Sequence, residues 1–128
     1  MPEQGRAMLQ FVGAFAEFGY VDRPSLVSVR GQRPPANKDK VVAYLKAGAP
    51  LVISPRIARD AFEPNRSAGP LHILTDGVFA WHEVLAYYVD RYDIVISSEF
   101  ERWMMERGFC IPEGLVTRDL QLPDAGVR

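Results

Sequence analysis

Residues 73–89 read ILTDGVFAWHEVLAYYV, and the reading of this stretch decides the fold. Asp76-Gly77 separates two β-rich runs, LHILT (71–75) and VFAW (78–81). An Asp-Gly pair in that setting predicts a hairpin with a two-residue turn, in which both central residues need positive φ. Side chains of a strand alternate between faces. Leu71, Ile73 and Thr75 therefore share one face, and His72 and Leu74 the other. On the return strand Val78 and Ala80 alternate with Phe79 and Trp81. A helix over 83–92 follows at once. Val84, Leu85, Tyr88, Val89 and Tyr92 fall on one broad apolar face, with Tyr87, Asp90 and Arg91 pointing elsewhere.

Upstream, LVIS (51–54) is an apolar run closed by Pro55 and reads as a central strand. Before it, Asn37 is placed as a helix N-cap and Asp39 in a first turn, where a carboxylate meets the helix dipole favourably. Val41, Val42 and Leu45 give that helix its buried stripe over 38–47, and Gly48 is expected to end it in a left-handed conformation. Residues 4–19 carry Met8, Leu9, Val12, Phe15 and Ala16 at helical spacing. Gly5 and Gly13 weaken such a helix by up to about 1 kcal/mol each. SLVSV (25–29) is a candidate edge strand, 56–62 a helical turn or irregular strand, and 63–70 a surface loop. Downstream, Ser98 and Glu101 form a capping box for a helix over 99–107 that buries Phe100, Trp103 and Met104. From residue 112, Pro112, Gly114, Pro123 and Gly126 predict a loosely attached tail.

The expected architecture is therefore an α+β fold in a single small domain, residues 1–128. A short antiparallel sheet (51–54, 71–75 and 78–81) with an Asp-Gly hairpin packs against about four helices. A chain of 128 residues with 48% apolar and 24% charged residues fits one globular core. The N-terminal stretch is interrupted by Gln10 and Glu17 and is not expected to act as a signal peptide. No run approaches the roughly 20 apolar residues of a membrane span. Cys110 is the only cysteine, so no internal disulfide can form, and a cytoplasmic location is expected.

Net charge is −1, but residues 1–66 carry +4 and residues 67–128 carry −5. Between Asp76 and Glu101 lie six carboxylates and one cation, Arg91. This asymmetry reads either as a steering surface for a basic partner or as two halves that pack together and cancel. The clustered Lys/Arg of a nucleic-acid footprint is absent.

Few motifs carry chemistry. His72, His82 and Cys110 form no HExxH or CxxC pattern, so no metal is expected. No GxSxG, Walker A or GxGxxG occurs, and no cofactor is expected. Cys110, between Phe109 and Ile111, reads as a buried, inert thiol. Asp76 is accounted for by the turn, and Glu83 by a helix's first turn. His82 is a candidate base or contact residue, or a solvent-exposed substitute for an N-cap. Tyr87, off the apolar face, is the best candidate for an exposed aromatic. Exposed aromatics among acids make plausible interface anchors.

The run LTDG (74–77), Trp81, LAYYV (85–89), Tyr92 and the EF pair (99–100), preceded by VVAYLKAGAPLVISP (41–55), covers about half the chain. It resembles small bacterial immunity-type proteins associated with polymorphic toxin systems. In that pattern proline commonly follows the tryptophan and precedes the EF pair, where this chain has His82 and Ser98. The resemblance implies a non-catalytic protein that binds and occludes a cognate toxin, and the acidic half of the chain suits a toxin with a basic surface. It also implies no cofactor, while the charge and hydropathy patterns point to no nucleic acid and no membrane, and a monomer or weak homodimer is expected. The contact candidates are Asp76, Trp81, His82, Glu83, Tyr87, Asp90 and Asp93. The alternatives are a small enzyme using His82 with Glu83 or Asp76, and a homo-oligomeric module joined through Trp103 and Met105.

Overall fold

A computed structural model describes residues 7–20, 22–31 and 35–123. In chain order it contains strands β1 (Ala7–Met8) and β2 (Gln10–Val12) and two short 3-10 turns, Ala16–Phe18 and Leu26–Val29. Helix α1 (Lys38–Lys46) and strands β3 (Ala49–Val52), β4 (Ile57–Arg59), β5 (Ser67–Pro70), β6 (Ile73–Thr75) and β7 (Phe79–His82) follow. Helices α2 (Val84–Tyr92) and α3 (Ser98–Glu106) and strand β8 (Leu120–Gln121) complete the order. The fold is mixed α+β. Its main sheet has the order β2-β7-β6-β3, with two-stranded β4-β5 and β1-β8 sheets beside it.

Strands β6 and β7 pair antiparallel, Leu74 opposite Trp81 and Thr75 opposite Ala80. Their connection is not the expected two-residue turn. Gly77 takes a φ of 99°, but Asp76 does not have positive φ. Instead the Asp76 carboxylate accepts the N–H groups of Val78 (2.9 Å) and Phe79 (2.7 Å) and rounds the corner from its side chain. All four β7 residues are buried, because both faces of the strand are covered. Phe79 and Trp81 meet Phe100 of α3, with ring centroids 4.7 and 5.3 Å apart. Ala80, on the opposite face, packs with Leu9 and Ile73, flanked by Leu51, Leu120 and Leu122.

The helix expected over 4–19 is replaced, within the described residues, by β1, β2 and the Ala16–Phe18 turn. Strand β2 pairs parallel with β7, so the sheet is mixed rather than antiparallel. The central β7 needs a partner on its second edge, and the two glycines leave helical propensity too weak to compete. Leu9, Val12 and Phe15 are still buried, so the apolar positions were informative where their period misled. Leu26–Val29 is a 3-10 turn rather than a strand. Ser25 caps it, and the Glu17 carboxylate accepts the Leu26 N–H at 2.9 Å. Residues 67–70, expected in a loop, form β5 against β4.

The helix ends also differ in detail. Asn37 adopts a left-handed conformation with φ 59° and makes no side-chain cap. Ser97, not Ser98, caps α3 by accepting the Phe100 N–H at 3.0 Å. Gly48 is required by space. A Cβ there would lie 2.8 Å from the Trp81 ring and 2.9 Å from the Leu74 Cβ. Of the expected tail, residues 124–128 lie outside the described residues, and the part up to 123 is tied down more firmly than expected. Strand β8 pairs parallel with β1, and Leu120 and Leu122 cover the Leu9–Ile73–Ala80 cluster. Cys110 is exposed rather than buried.

Candidate functional site

The seven contact candidates separate by burial. Asp76, Trp81 and His82 lie inside the protein. Trp81 is fully enclosed, and its indole N–H donates to the Leu45 carbonyl at 2.9 Å. The Asp76 carboxylate, besides holding its own turn, accepts the Tyr44 hydroxyl of α1 and the Trp103 indole N–H of α3 at 3.1 Å. It ties the hairpin to both helices. His82 is buried, not a solvent-exposed cap, and burial pushes its pKa below the ordinary histidine value. Both ring nitrogens are engaged, by the Leu71 carbonyl and the Tyr20 hydroxyl. Asp76 and His82 stand at opposite ends of the hairpin, so they do not meet. A buried residue cannot touch a partner without local opening, which removes these three from any surface reading.

Glu83, Tyr87 and Asp90 do come together. They line one side of a cavity of about 330 Å³ between β5 and the first two turns of α2. Lys46, at the end of α1, and Ala68, Gly69 and Pro70 of β5 also line it. The helical offsets 83, 87 and 90 place the three side chains on one face. Asp93 lies apart from them, past the end of α2, where its carboxylate pairs with Lys38 at 2.7 Å.

Beneath the groove is a site that the sequence reading missed. Asp60 is 1% exposed. Its carboxylate accepts the hydroxyls of Tyr87 and Tyr92, both at 2.6 Å, and the N–H groups of Phe62 (2.7 Å) and Glu63 (3.0 Å). The Arg91 guanidinium stands 4.0 Å away. Burial alone would raise the Asp60 carboxyl, but the four hydrogen bonds outweigh it and hold its pKa at about 2. Burial, and then the bond to Asp60, push the Tyr87 hydroxyl up to about 12. The Tyr88 hydroxyl adds a second clamp, accepting the Ala61 N–H at 2.9 Å and donating to the Arg59 carbonyl at 3.2 Å. Arg30 stacks over Phe62 and Tyr92, 4.8 and 4.9 Å from the ring centroids. Together these contacts fasten the β4–β5 hairpin to α2. The available signal was an aspartate two and three residues before N–H groups in a Pro/Asn loop, an Asx pattern.

Trp103 is half-buried under the Arg107 guanidinium, 3.4 Å from its ring centroid, while Met105 is exposed. The two therefore form no continuous apolar patch. Among the described residues, no cluster of three or more His, Cys, Asp or Glu side chains could hold a metal ion. No described helix is long and apolar enough to cross a membrane.

No family model, curated protein or solved structure matches this chain. The functional reading therefore rests on its own residues. Among the described residues every buried side-chain nitrogen and oxygen has a hydrogen-bond partner. The interior is chemically closed, and Glu83, Tyr87 and Asp90 are the candidates that still face a cavity.

Proposed function

We propose that this chain is a non-catalytic cytoplasmic binding protein, an immunity protein that neutralises a cognate bacterial toxin by direct binding and occlusion. One observation carries the reading. The polar residues that a small enzyme would have needed, His82 and Asp76, are already engaged in holding the fold together, whereas Glu83, Tyr87 and Asp90 border an open groove. The contact face we assign is this groove. Its two carboxylates sit in the acidic half of the chain, and such a face speeds association with a basic partner through charge complementarity. Tyr87 adds an aromatic whose hydroxyl is fixed by Asp60, so little side-chain freedom would be lost on contact.

The test begins with the neighbouring reading frame. If it encodes a toxin domain, that domain is co-expressed with this chain and growth is followed. Protection is expected from the native chain. A Glu83→Lys/Asp90→Lys variant with an unchanged circular-dichroism spectrum is expected to lose protection. Failure of the native chain to protect, or full protection by the charge-reversed variant, would overturn the reading or its assigned face respectively.

A further inference from the structure

The imidazole of His82 sits between two parts of the chain. Its Nδ1 is 3.0 Å from the Leu71 carbonyl oxygen and its Nε2 is 2.6 Å from the Tyr20 hydroxyl. A carbonyl oxygen only accepts, so Nδ1 carries the hydrogen. Nε2 of the neutral ring is then the acceptor for the Tyr20 O–H. Phe11 and Phe18 meet the ring at steep angles, with centroids 5.6 and 5.4 Å away, and Tyr20 at 5.5 Å. Phe11, Phe18 and Tyr20 belong to the N-terminal segment, while Leu71 and His82 belong to the hairpin.

We propose that neutral His82 is an acid-sensitive latch holding residues 10–20 against the hairpin, released when Nε2 takes up a proton. A solvent proton on the Nε2 lone pair turns the acceptor of the Tyr20 hydroxyl into a second donor. The Tyr20 oxygen then accepts the new N–H, but its own hydrogen loses its acceptor, and Tyr20, only 2% exposed, has no water to turn to. The backbone of Leu71 and His72 favours the new charge, but less than burial opposes it. The titratable groups around the ring are Tyr20 itself, Tyr88 behind Phe18, His72 and Glu83. The His72 ring accepts the Ser54 N–H, and the Glu83 side chain lines the groove. Among the described residues no carboxylate hydrogen-bonds the His82 ring. Burial depresses the His82 pKa in the fold below its unfolded value of 6.5. Between the two values the opened segment binds more protons than the closed one. The latch is therefore whole above pH 6.5 and weakens as pH falls below it, until the folded value is passed.

Hydrogen exchange on the full chain at pH 7.5 and 5.0, corrected for intrinsic rates, tests this segment by segment. Amides of 10–20 are expected to lose protection at pH 5.0 relative to pH 7.5, as a folded-state His82 pKa below 6.5 requires. Those of 57–70, held by Asp60, are expected to change little. His82→Gln keeps an acceptor for Tyr20 without a titrating ring, and its 10–20 protection is expected to be flat between the two pH values. Should that variant fail to fold, Tyr20→Phe serves instead. It is expected to expose 10–20 already at pH 7.5 and to show a smaller acid step. Unchanged protection of 10–20 in the native chain, a loss spread evenly over all segments, an acid step that persists in His82→Gln, or one undiminished in Tyr20→Phe would each overturn the latch.

Discussion

Asp60 and His82 are both buried ionisable side chains held by tyrosine hydroxyls, yet their surroundings select opposite charge states. Every near partner of Asp60 donates, and a cation stands beyond them. His82 meets a backbone carbonyl and a tyrosine hydroxyl, and only the neutral ring leaves that hydroxyl an acceptor for its own hydrogen. Burial opposes charge at both sites. It loses at Asp60 to four hydrogen bonds and wins at His82, where two backbone groups favour the cation too weakly to offset it. The partners, rather than the depth of burial, set the protonation state. The same difference makes the β4–β5 attachment resistant to mild acid and the N-terminal attachment sensitive to it.

The comparison can be broken most forcefully at Asp60. Asp60→Ala leaves two tyrosine hydroxyls and two backbone donors without their acceptor. It is expected to cost about 3–5 kcal/mol in urea unfolding at pH 7. A loss under about 1 kcal/mol would mean the site is solvated and not a structural clamp. Tyr20→Phe comes next. It leaves the His82 Nε2 buried without a donor, and a destabilisation of about 1–3 kcal/mol is expected from the same measurement. Tyr87→Phe removes one of four bonds to a carboxylate that keeps the other three, for a loss near 1 kcal/mol. Glu83→Gln with Asp90→Asn, on the open groove, is expected to stay within about 0.5 kcal/mol of the native chain while altering partner association. In acid the two sites separate. His82-linked stability falls below pH 6.5, whereas the Asp60 contribution is whole above its unfolded pKa of 3.8 and is lost as pH falls toward about 2. Urea unfolding at pH 7.5, 5.0 and 3.0 resolves the order.

The legible and illegible parts of this chain follow the range of their causes. The hairpin strands and α2 were readable because alternation and helical period within 73–92 coincide with what the core uses. The N-terminal segment was misread because its structure is decided at long range by the open edge of β7. Its buried residues were recognised, but their period was shared between two possible elements. Asp76 holds the turn from its side chain rather than as a positive-φ corner residue. Its bonds to Tyr44 and Trp103, 32 and 27 residues away, have no local signature. Trp81 and His82 drew functional suspicion because aromatic and imidazole groups serve interfaces and interiors equally well, and sequence does not say which side of β7 is covered. The Asp60 clamp is not legible locally because its tyrosine partners lie 27 and 32 residues downstream.

The claim that partners fix these charge states is tested most directly by long-range proton–nitrogen NMR of the His82 ring in the full chain, titrated from pH 7.5 to 5.0. The account predicts a hydrogen on Nδ1, a free lone pair on Nε2, and a ring still predominantly neutral at pH 6.5. A hydrogen on Nε2 of the neutral ring, or a ring half-charged at or above pH 6.5, would contradict it.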